Sequence, residues 1–533
     1  LYFAECGAML LLSWCAVNGS IQEGDSSTVI QLMHSFRGAV APAAILEAVR
    51  KGEIASFCLF NFNYENPQQL RQLTDSLNNA AREGGQLPPL IGIDQEGGQL
   101  MAIASGVTAL PGNMAIGATR SPELAEQAGR VLARELLAMG INLNFAPSLD
   151  VNSNADNPVI GARAFGDDPA LVAELGCAMI GGMQSEGMIA TAKHFPGHGD
   201  VAIDTHYGAP IVDRDRSSVE ALDLFPFREA IRNGVQAVMS AHIIFTALDS
   251  SHLATTSPVI MTDLLRTEMG FGGLLMTDAM DMYAVAQYGI NGIEDALKSG
   301  IDLILLAHVR DQLELHLKLS HLENPASIER IQRAQRSLTV SRPFLDILNC
   351  SEHQEIACEI AERAVTVVRG EANLPLNVAP DDQIVVITPQ PKDLTPADTS
   401  SFVTIKLGSA IAKRHARTIS LELPSYPDES DIAATLQIAR HADVVIVGTI
   451  GAEKDAHQSD LVLQLILDGK HPIVVSLRTP YDIQAFPEIE TYLCAYGIRK
   501  PNTEAVARVL FGEIRANGTL PCAIPGITVP ALT

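Results

Sequence analysis

Residues 169–193, PALVAELGCAMIGGMQSEGMIATAK, contain one complete repeat of the pattern that decides the fold. A helical stretch runs from Pro169 to Gly187, and an unbroken apolar run then leads to Lys193 and reads as a strand buried on both faces. The same unit recurs on either side. Upstream, Ser121-Pro122-Glu123 supplies a cap, a first-position proline and a first-turn acid for a helix that runs to Gly140 and leads into INLNFAP. Downstream come a helix from Ser218 to Gly234 with strand VQAVMSA, a helix from Ser257 to Met269 with GGLLMTD, and a helix near Ile293 to Gly300 with IDLILLA. Towards the N-terminus, VIQLMHSF, a helix at Ala43 to Lys51, IASFCLF, a helix through Gln68 to Glu83 and PLIGID continue the alternation. About eight such units over roughly 300 residues predict a closed (β/α)8 TIM-type barrel, with an open doubly wound sheet as the alternative.

After Arg330 the chain turns helical and charged, and a second alternation then begins: QIVVIT, FVTIKL, TISLEL, DVVIVGTI, PIVVSL and TYLCAYG, with helices at Asp431 to His441, Ser459 to Leu467 and Asn502 to Phe511. This predicts a smaller α/β/α sandwich without a comparable set of polar strand ends, structural in role or lending one loop to the site. The expected division is an N-terminal extension over 1–28, a barrel over 29–340, a linker over 341–364 and the sandwich over 365–533.

A chain of 533 residues is too long for one core, and 47% hydrophobic with 19% charged residues describes a globular protein. The formal charge of −25 repels nucleic acid and anionic membranes. Eight cysteines without CxxC pairing read as buried free thiols, which favours a reducing, cytoplasmic setting. The apolar run Ala8 to Val17 is too short to span a membrane. It reads as a first strand or helix, the alternative being the remnant of an export signal.

Chemistry concentrates in the loop that follows the opening repeat. Residues 191–210, TAKHFPGHGDVAIDTHYGAP, place three histidines, a lysine and two aspartates beside Pro196, Gly197 and Gly199, which interrupt regular structure. Asp204 and His206, two apart in an extended segment, point the same way, so the carboxylate can hold the imidazole's tautomer and support its cation. Polar residues recur at the other strand ends: Asp94, Asp150, Lys193, His194, His242 and Asp278. In a parallel barrel these ends share one face, which brings them together.

Each feature also has a plainer reading. DQEGG at 94–98 fits an ordinary strand-ending turn with solvated acids, and Asp278 fits a helix cap, although Met276, Ala279 and Met280 make its setting apolar. A metal site is disfavoured, because the His194–His198 interval spans Pro196 and Gly197 and no helix aligns the rings. Phosphate-binding glycine loops and serine elbows are absent from the strand-to-helix junctions.

KHFPGHGD followed by DTH, with DQEGG, MTDAMDM and NPVIGARAFGDDP, resembles the glycoside hydrolase family 3 β-N-acetylglucosaminidases of the bacterial cell-wall recycling type. The resemblance covers about residues 29–340, and EIAERAVTVVRGEANLPL through LFGEIRANGTLPCAIPG looks like the second domain of two-domain members. It implies a retaining exo-hydrolase for terminal β-linked N-acetylglucosamine, with Asp278 as nucleophile and His206 as acid/base supported by Asp204. Asp94, Arg163, Lys193 and His194 match positions that hold the sugar, and neither metal nor cofactor is implied. The substrate is then a small carbohydrate, of muropeptide type in that family. An imidazole suits the acid/base role because its unperturbed pKa of about 6.5 lets it give and recover a proton near neutrality. Gly197 and Gly199 would let the loop open and close over the sugar.

The chain departs from the family where Gln99 and Ala102 stand in place of two arginines, and where Val201-Ala202 follows Asp200. Two other functions stay open at this point: phosphorolysis, since a neutral histidine repels phosphate less than a glutamate does, and sugar binding without turnover.

Overall fold

The computed structural model describes residues 30–202, 204–338 and 342–528. The apolar run Ala8 to Val17, Cys6 and Cys15 lie outside the described residues. Eight parallel strands, β1 (Leu32–Met33), β2 (Ser56–Leu59), β3 (Leu90–Ile93), β4 (Leu143–Asn144), β5 (Ile189–Phe195), β6 (Ala237–Ser240), β7 (Leu274–Thr277) and β8 (Ile304–Leu305), follow one another in space as in sequence. β2 to β7 form one ladder and β8 pairs with β1. Parallel bridges His34–Phe57 and Met276–Leu303 join the two pieces, so the pairing returns on itself as a TIM-like barrel.

Alternation along the strands sorts the side chains. Cys58, Leu90, Leu143, Ile189, Ala237, Leu274, Met276 and Leu305 pack together inside the barrel. Their neighbours Phe57, Ile91, Ala190, Val238, Leu275 and Ile304 pack outward against the helices. Continuing the period-two count places Asp94 beyond Leu90, Lys193 beyond Ile189 and Asp278 beyond Leu274 on the inner side, at the barrel mouth. Gly92 is needed inside, because a Cβ there would come within 2.4 Å of the Phe145 ring.

The second domain is built on a six-stranded sheet of β9 (Thr366–Arg369), β10 (Ile384–Pro389), β11 (Thr418–Leu423), β12 (Val444–Thr449), β13 (Ile473–Ser476) and β14 (Thr491–Cys494), in the order β9-β14-β13-β12-β10-β11. All pairs are parallel except β9–β14. Val385, Ile387, Val445 and Val447 face helices Glu429–Ala439 and Ala456–Leu467, while Ile384, Val386, Ile446 and Val475 face helices Leu407–Ala412 and Lys500–Leu510, which gives three layers.

The structure corrects two readings, one strand and the burial of the thiols. FVTIKL is not a strand; the sixth place in the sheet is taken by β9, and Val403 and Ile405 instead pack against the apolar cluster on one face. Within 341–364, helix Ser351–Ala364 buries His353 with its Nδ1 2.8 Å from Glu135. The thiols are not uniformly buried: Cys58, Cys494 and Cys522 are, whereas Cys358 is exposed. At or beyond the strands of the second sheet lie Thr449, Arg478, Asp482 and Arg499, and all four are buried.

Arg499, with neighbouring loops, fastens the domains together. Arg499 Nε donates to the Gly98 carbonyl at 2.9 Å, Thr399 Oγ1 accepts from Met101 N at 3.0 Å and donates to the Gln99 carbonyl at 2.8 Å, and Asn152 Nδ2 donates to Tyr481 at 2.8 Å. The clamped hairpin, Gln95–Gly97 with Leu100–Met101, is the one that follows Asp94.

Candidate active site

Ionised groups meet at the barrel mouth in two linked networks. Lys193 Nζ lies 2.6 Å from both Asp94 Oδ1 and Glu96 Oε1, and the Arg163 guanidinium grips Glu96 through Nε at 3.0 Å and Nη2 at 2.8 Å. Glu96, Lys193 and Arg163 are almost wholly buried, a placement that charged groups tolerate only when paired. Burial pushes the Glu96 carboxyl up, but Arg163 and Lys193 outweigh it and bring its pKa down to about 2.

The second network begins at Asp150. Its carboxylate accepts from the backbone N–H groups of His194 at 3.1 Å and His198 at 2.7 Å, and from Ser148 Oγ at 2.8 Å. The same carboxylate holds His194 Nδ1 at 2.7 Å, which aims Nε2 toward Asp278 Oδ2, 3.9 Å away. Asp278 also accepts from Ala279 N at 2.8 Å. Burial raises the Asp278 pKa, yet His194, His242, the Ala279 N–H and Lys193 together leave it below the usual carboxylate range. Its side chain keeps 15% exposure, so an ionised oxygen faces the open mouth.

In the loop after β5, His206 Nδ1 lies 2.6 Å from Asp204 Oδ1, and the same oxygen accepts the His206 backbone N–H at 2.9 Å. Burial lowers the His206 pKa, but the bond to Asp204 and the charges of Asp204, Asp278 and Asp281 exceed it, so the net shift is upward. Asp204 is shifted down by the same pairing, against its own desolvation. The His206 side chain is 20% exposed while Asp204 is closed in.

The loop between the networks is pinned. Asn157 Nδ2 donates to the His198 carbonyl at 2.7 Å, Asn154 Nδ2 to the Asp200 carbonyl at 2.9 Å, and Arg214 pairs with Asp200 and Asp223. A Cβ on Gly199 would sit 1.7 Å from the Val151 carbonyl, and one on Gly197 3.0 Å from Asp223. Gly199 thus permits a close backbone approach, and Gly197 leaves room for the Asp223 side chain. Ala284 N donates to the Thr205 carbonyl at 3.2 Å, which ties the His206 segment to the chain beyond Asp278.

Asp94, Arg163, Lys193, His194, Asp204, His206 and Asp278 are thus brought to one mouth. Sequence reasoning named Asp94 but missed Glu96. The usable signal was its spacing two residues from Asp94, which keeps both acids on one side of an extended segment. Asp150 was noted only as a strand end, although it orients His194. The loop histidines serve separate partners, and burial followed by the His194 charge lowers the His198 pKa to about 4, leaving that ring neutral.

The sequence pattern of the glycosyl hydrolase family 3 N-terminal domain matches residues 29–339. The chain is 32% identical over 555 residues to beta-hexosaminidase A of Pseudoalteromonas piscicida, covering 91% of each chain. The family is thereby settled. This chain belongs to glycosyl hydrolase family 3. A beta-hexosaminidase of Nitrosomonas eutropha is 39% identical over 269 residues, 49% of this chain and 76% of that one. Among solved structures, a family 3 beta-N-acetylglucosaminidase from Paenibacillus sp. str. FPU-7 superposes with a TM-score of 0.87 at 33% identity, covering 94% of this chain and 98% of that one. The family 3 chain described here is a glycoside hydrolase, and its substrate is a carbohydrate. Among the described residues no helix is long and apolar enough to cross a membrane.

Proposed function

We propose that this protein is a retaining exo-β-N-acetylglucosaminidase in which Asp278 attacks the anomeric carbon and His206, supported by Asp204, protonates the leaving oxygen. The observation that carries this reading is the pairing of an ionised, partly open Asp278 with a His206 whose pKa is raised in the same field. A nucleophile must be deprotonated and an acid protonated at the same pH, and these opposite shifts widen the window in which both hold. In the first step the Asp278 oxygen forms the glycosyl ester as the bond to the aglycone oxygen breaks and His206 gives up its proton. In the second, His206 takes a proton from water, and the resulting hydroxide equivalent cleaves the ester with net retention.

Lys193, Asp94, Arg163 and His194 supply the polar walls that hold the sugar. The buried Glu96 pairs with both Lys193 and Arg163 and so fixes their positions in that wall. The catalytic domain is taken as residues 29–340 and the second domain as 365–533, whose contribution is to brace the hairpin behind Asp94 and Glu96.

Aryl β-glycosides that differ only at the 2-position test the substrate. The 2-acetamido compound should exceed the 2-hydroxy compound in kcat/KM by roughly a hundredfold or more, the size of a discrimination built on polar contacts. Equal rates would refute the acetamido preference. Labelling by a 2-fluoro glycoside at a carboxylate other than Asp278 would refute the nucleophile. Release of free sugar at the same rate with and without phosphate is expected, and appearance of sugar 1-phosphate would move the protein to phosphorolysis.

A further inference from the structure

The segment that carries Asp204 and His206 leaves and returns through two residues that meet. Asp200 and Arg214, fourteen positions apart, form an ion pair through Oδ1 and Nη2. Arg214 Nη2 also donates to Ser153 Oγ at 2.7 Å, and Asn154 Nδ2 donates to the Asp200 carbonyl at 2.9 Å, so both ends are tied to the loop after β4. Between them, Thr205 accepts Ala284 N at 3.2 Å on its carbonyl and gives its hydroxyl to Met282 Sδ at 3.6 Å, while Ile211–Val212 pairs with Ile244–Phe245. The tip and the return limb are thus held by neighbouring segments. On the outgoing limb Val201 is buried and Ala202 exposed, and neither side chain can hydrogen-bond, so polar restraint there falls on Asp200.

Arg214 also faces a second carboxylate. Its Nη1 lies 3.2 Å from Asp223 Oδ2, at the end of the helical stretch Val219–Asp223. The two acids differ in setting, since the Asp223 side chain is 2% exposed and that of Asp200 26%. One guanidinium does not neutralise two carboxylates, and the charge is given up where water reaches least. Burial pushes the Asp223 carboxyl up to about 7, with Arg214 opposing the rise and Asp200 and Asp150 adding to it. At and below neutrality the charge that Arg214 mainly meets is therefore that of Asp200, in a charge-assisted bond of the stronger kind.

We propose that Arg214 is a positioning residue of the reaction: by binding Asp200 it joins the two ends of the segment that carries Asp204 and His206, and so fixes where His206 hands over its proton. This rests on the reading of His206 as acid/base given above. Asp223 seats the guanidinium without holding the segment.

Aryl β-N-acetylglucosaminides with leaving groups from phenol to 2,4-dinitrophenol report how much proton donation each enzyme supplies. Arg214→Gln should lower kcat/KM on the phenyl compound by about ten- to a hundredfold and on the dinitrophenyl compound by less than about threefold, which steepens the slope against leaving-group pKa. Asp200→Asn should do the same and carries the test alone if Arg214→Gln fails to fold. Arg214→Lys should restore part of the rate, and the double variant should be no worse than either single one. Asp223→Asn, which keeps the neutral form, should leave the slope unaltered. Chymotrypsin supplies a second readout, because Tyr207 is 70% exposed and cleavage after it should quicken in both latch variants. Equal losses on every substrate, or an unaltered slope in both variants, overturns the positioning role alone. A slope that does not steepen even in His206→Ala overturns the acid/base reading and this inference with it.

Discussion

At the carboxyl ends of the barrel strands Asp94, His206 and Asp278 each keep an open side, whereas Asp482, Arg478 and Arg499 at the ends of the second sheet are closed in. Both sheets gather the same residue types at the same edge, because parallel strands place all their outgoing loops there. In the barrel Glu96 ties Lys193 and Arg163, and Asp150 aims His194 at Asp278, which among the described residues has no ion pair shorter than the 3.9 Å to His194. In the second domain the partners consume one another. Asp398 takes Arg478 and the Ser400 N–H, and Asp482 takes Thr449 and the Ala452 N–H. Position at a strand end is therefore not sufficient for chemistry; an unspent charge facing an opening is.

The largest test of that contrast removes the open carboxylate. Asp278→Ala should cost at least about ten-thousandfold in kcat, since the glycosyl ester cannot form. A residual rate within tenfold of wild type, measured on an aryl N-acetylglucosaminide, would move the nucleophile elsewhere.

Next comes the proton donor. His206→Ala should slow substrates with poor leaving groups by about a hundred- to ten-thousandfold and activated aryl substrates much less, with azide partly restoring the second step. The slope of log kcat/KM against leaving-group pKa is the readout, and equal slopes in the two enzymes would remove His206 from the role.

The pH profile sharpens the same pair. His206 must be protonated to act as acid, and its pKa is raised, so the rate is full below that pKa and is lost as pH rises through it. Asp278 must be ionised, and its pKa is lowered, so activity survives until pH falls below the usual carboxylate range. Asp204→Asn takes away what raises His206 and should move the alkaline limb of kcat to lower pH, leaving the acid limb in place. An alkaline limb that stays put would separate Asp204 from the proton donor.

The smallest effects belong to the second domain. Arg499→Met removes a buried charged donor from the Gly98 carbonyl and should lower stability by about 1.5–3 kcal/mol in denaturant unfolding. The accompanying change in kcat should stay below about threefold, because the hairpin keeps its three Thr399 bonds. Asp482→Asn should leave kcat and its pH profile unaltered. A pH limb lost in Asp482→Asn would show that the second sheet has a titrating role after all.

The barrel was legible in the sequence because its strands are continuous apolar runs set off by helical stretches, and period-two counting from those runs already points Lys193 and Asp278 inward. The same rule misjudged FVTIKL: β-branched residues mark a half-buried extended segment, but whether it pairs depends on which sheet places are taken, and β9 came back from earlier in the chain to take one. The Asp204–His206 pair was legible for a local reason, two residues of spacing in one loop. Glu96 was not read as part of the site, because its meaning lies in Lys193 and Arg163, about a hundred and about seventy residues away.

What the sequence determined by itself was therefore periodicity and local spacing: the repeating units, the loop and the identity of the groups at the strand ends. Only the tertiary structure decided which of those groups are spent on one another. An ion pair depends on separations of a few ångströms between residues remote in the chain, and closure of the barrel sets those separations. The same closure set Gly199 against Val151, where a Cβ would lie 1.7 Å from the carbonyl.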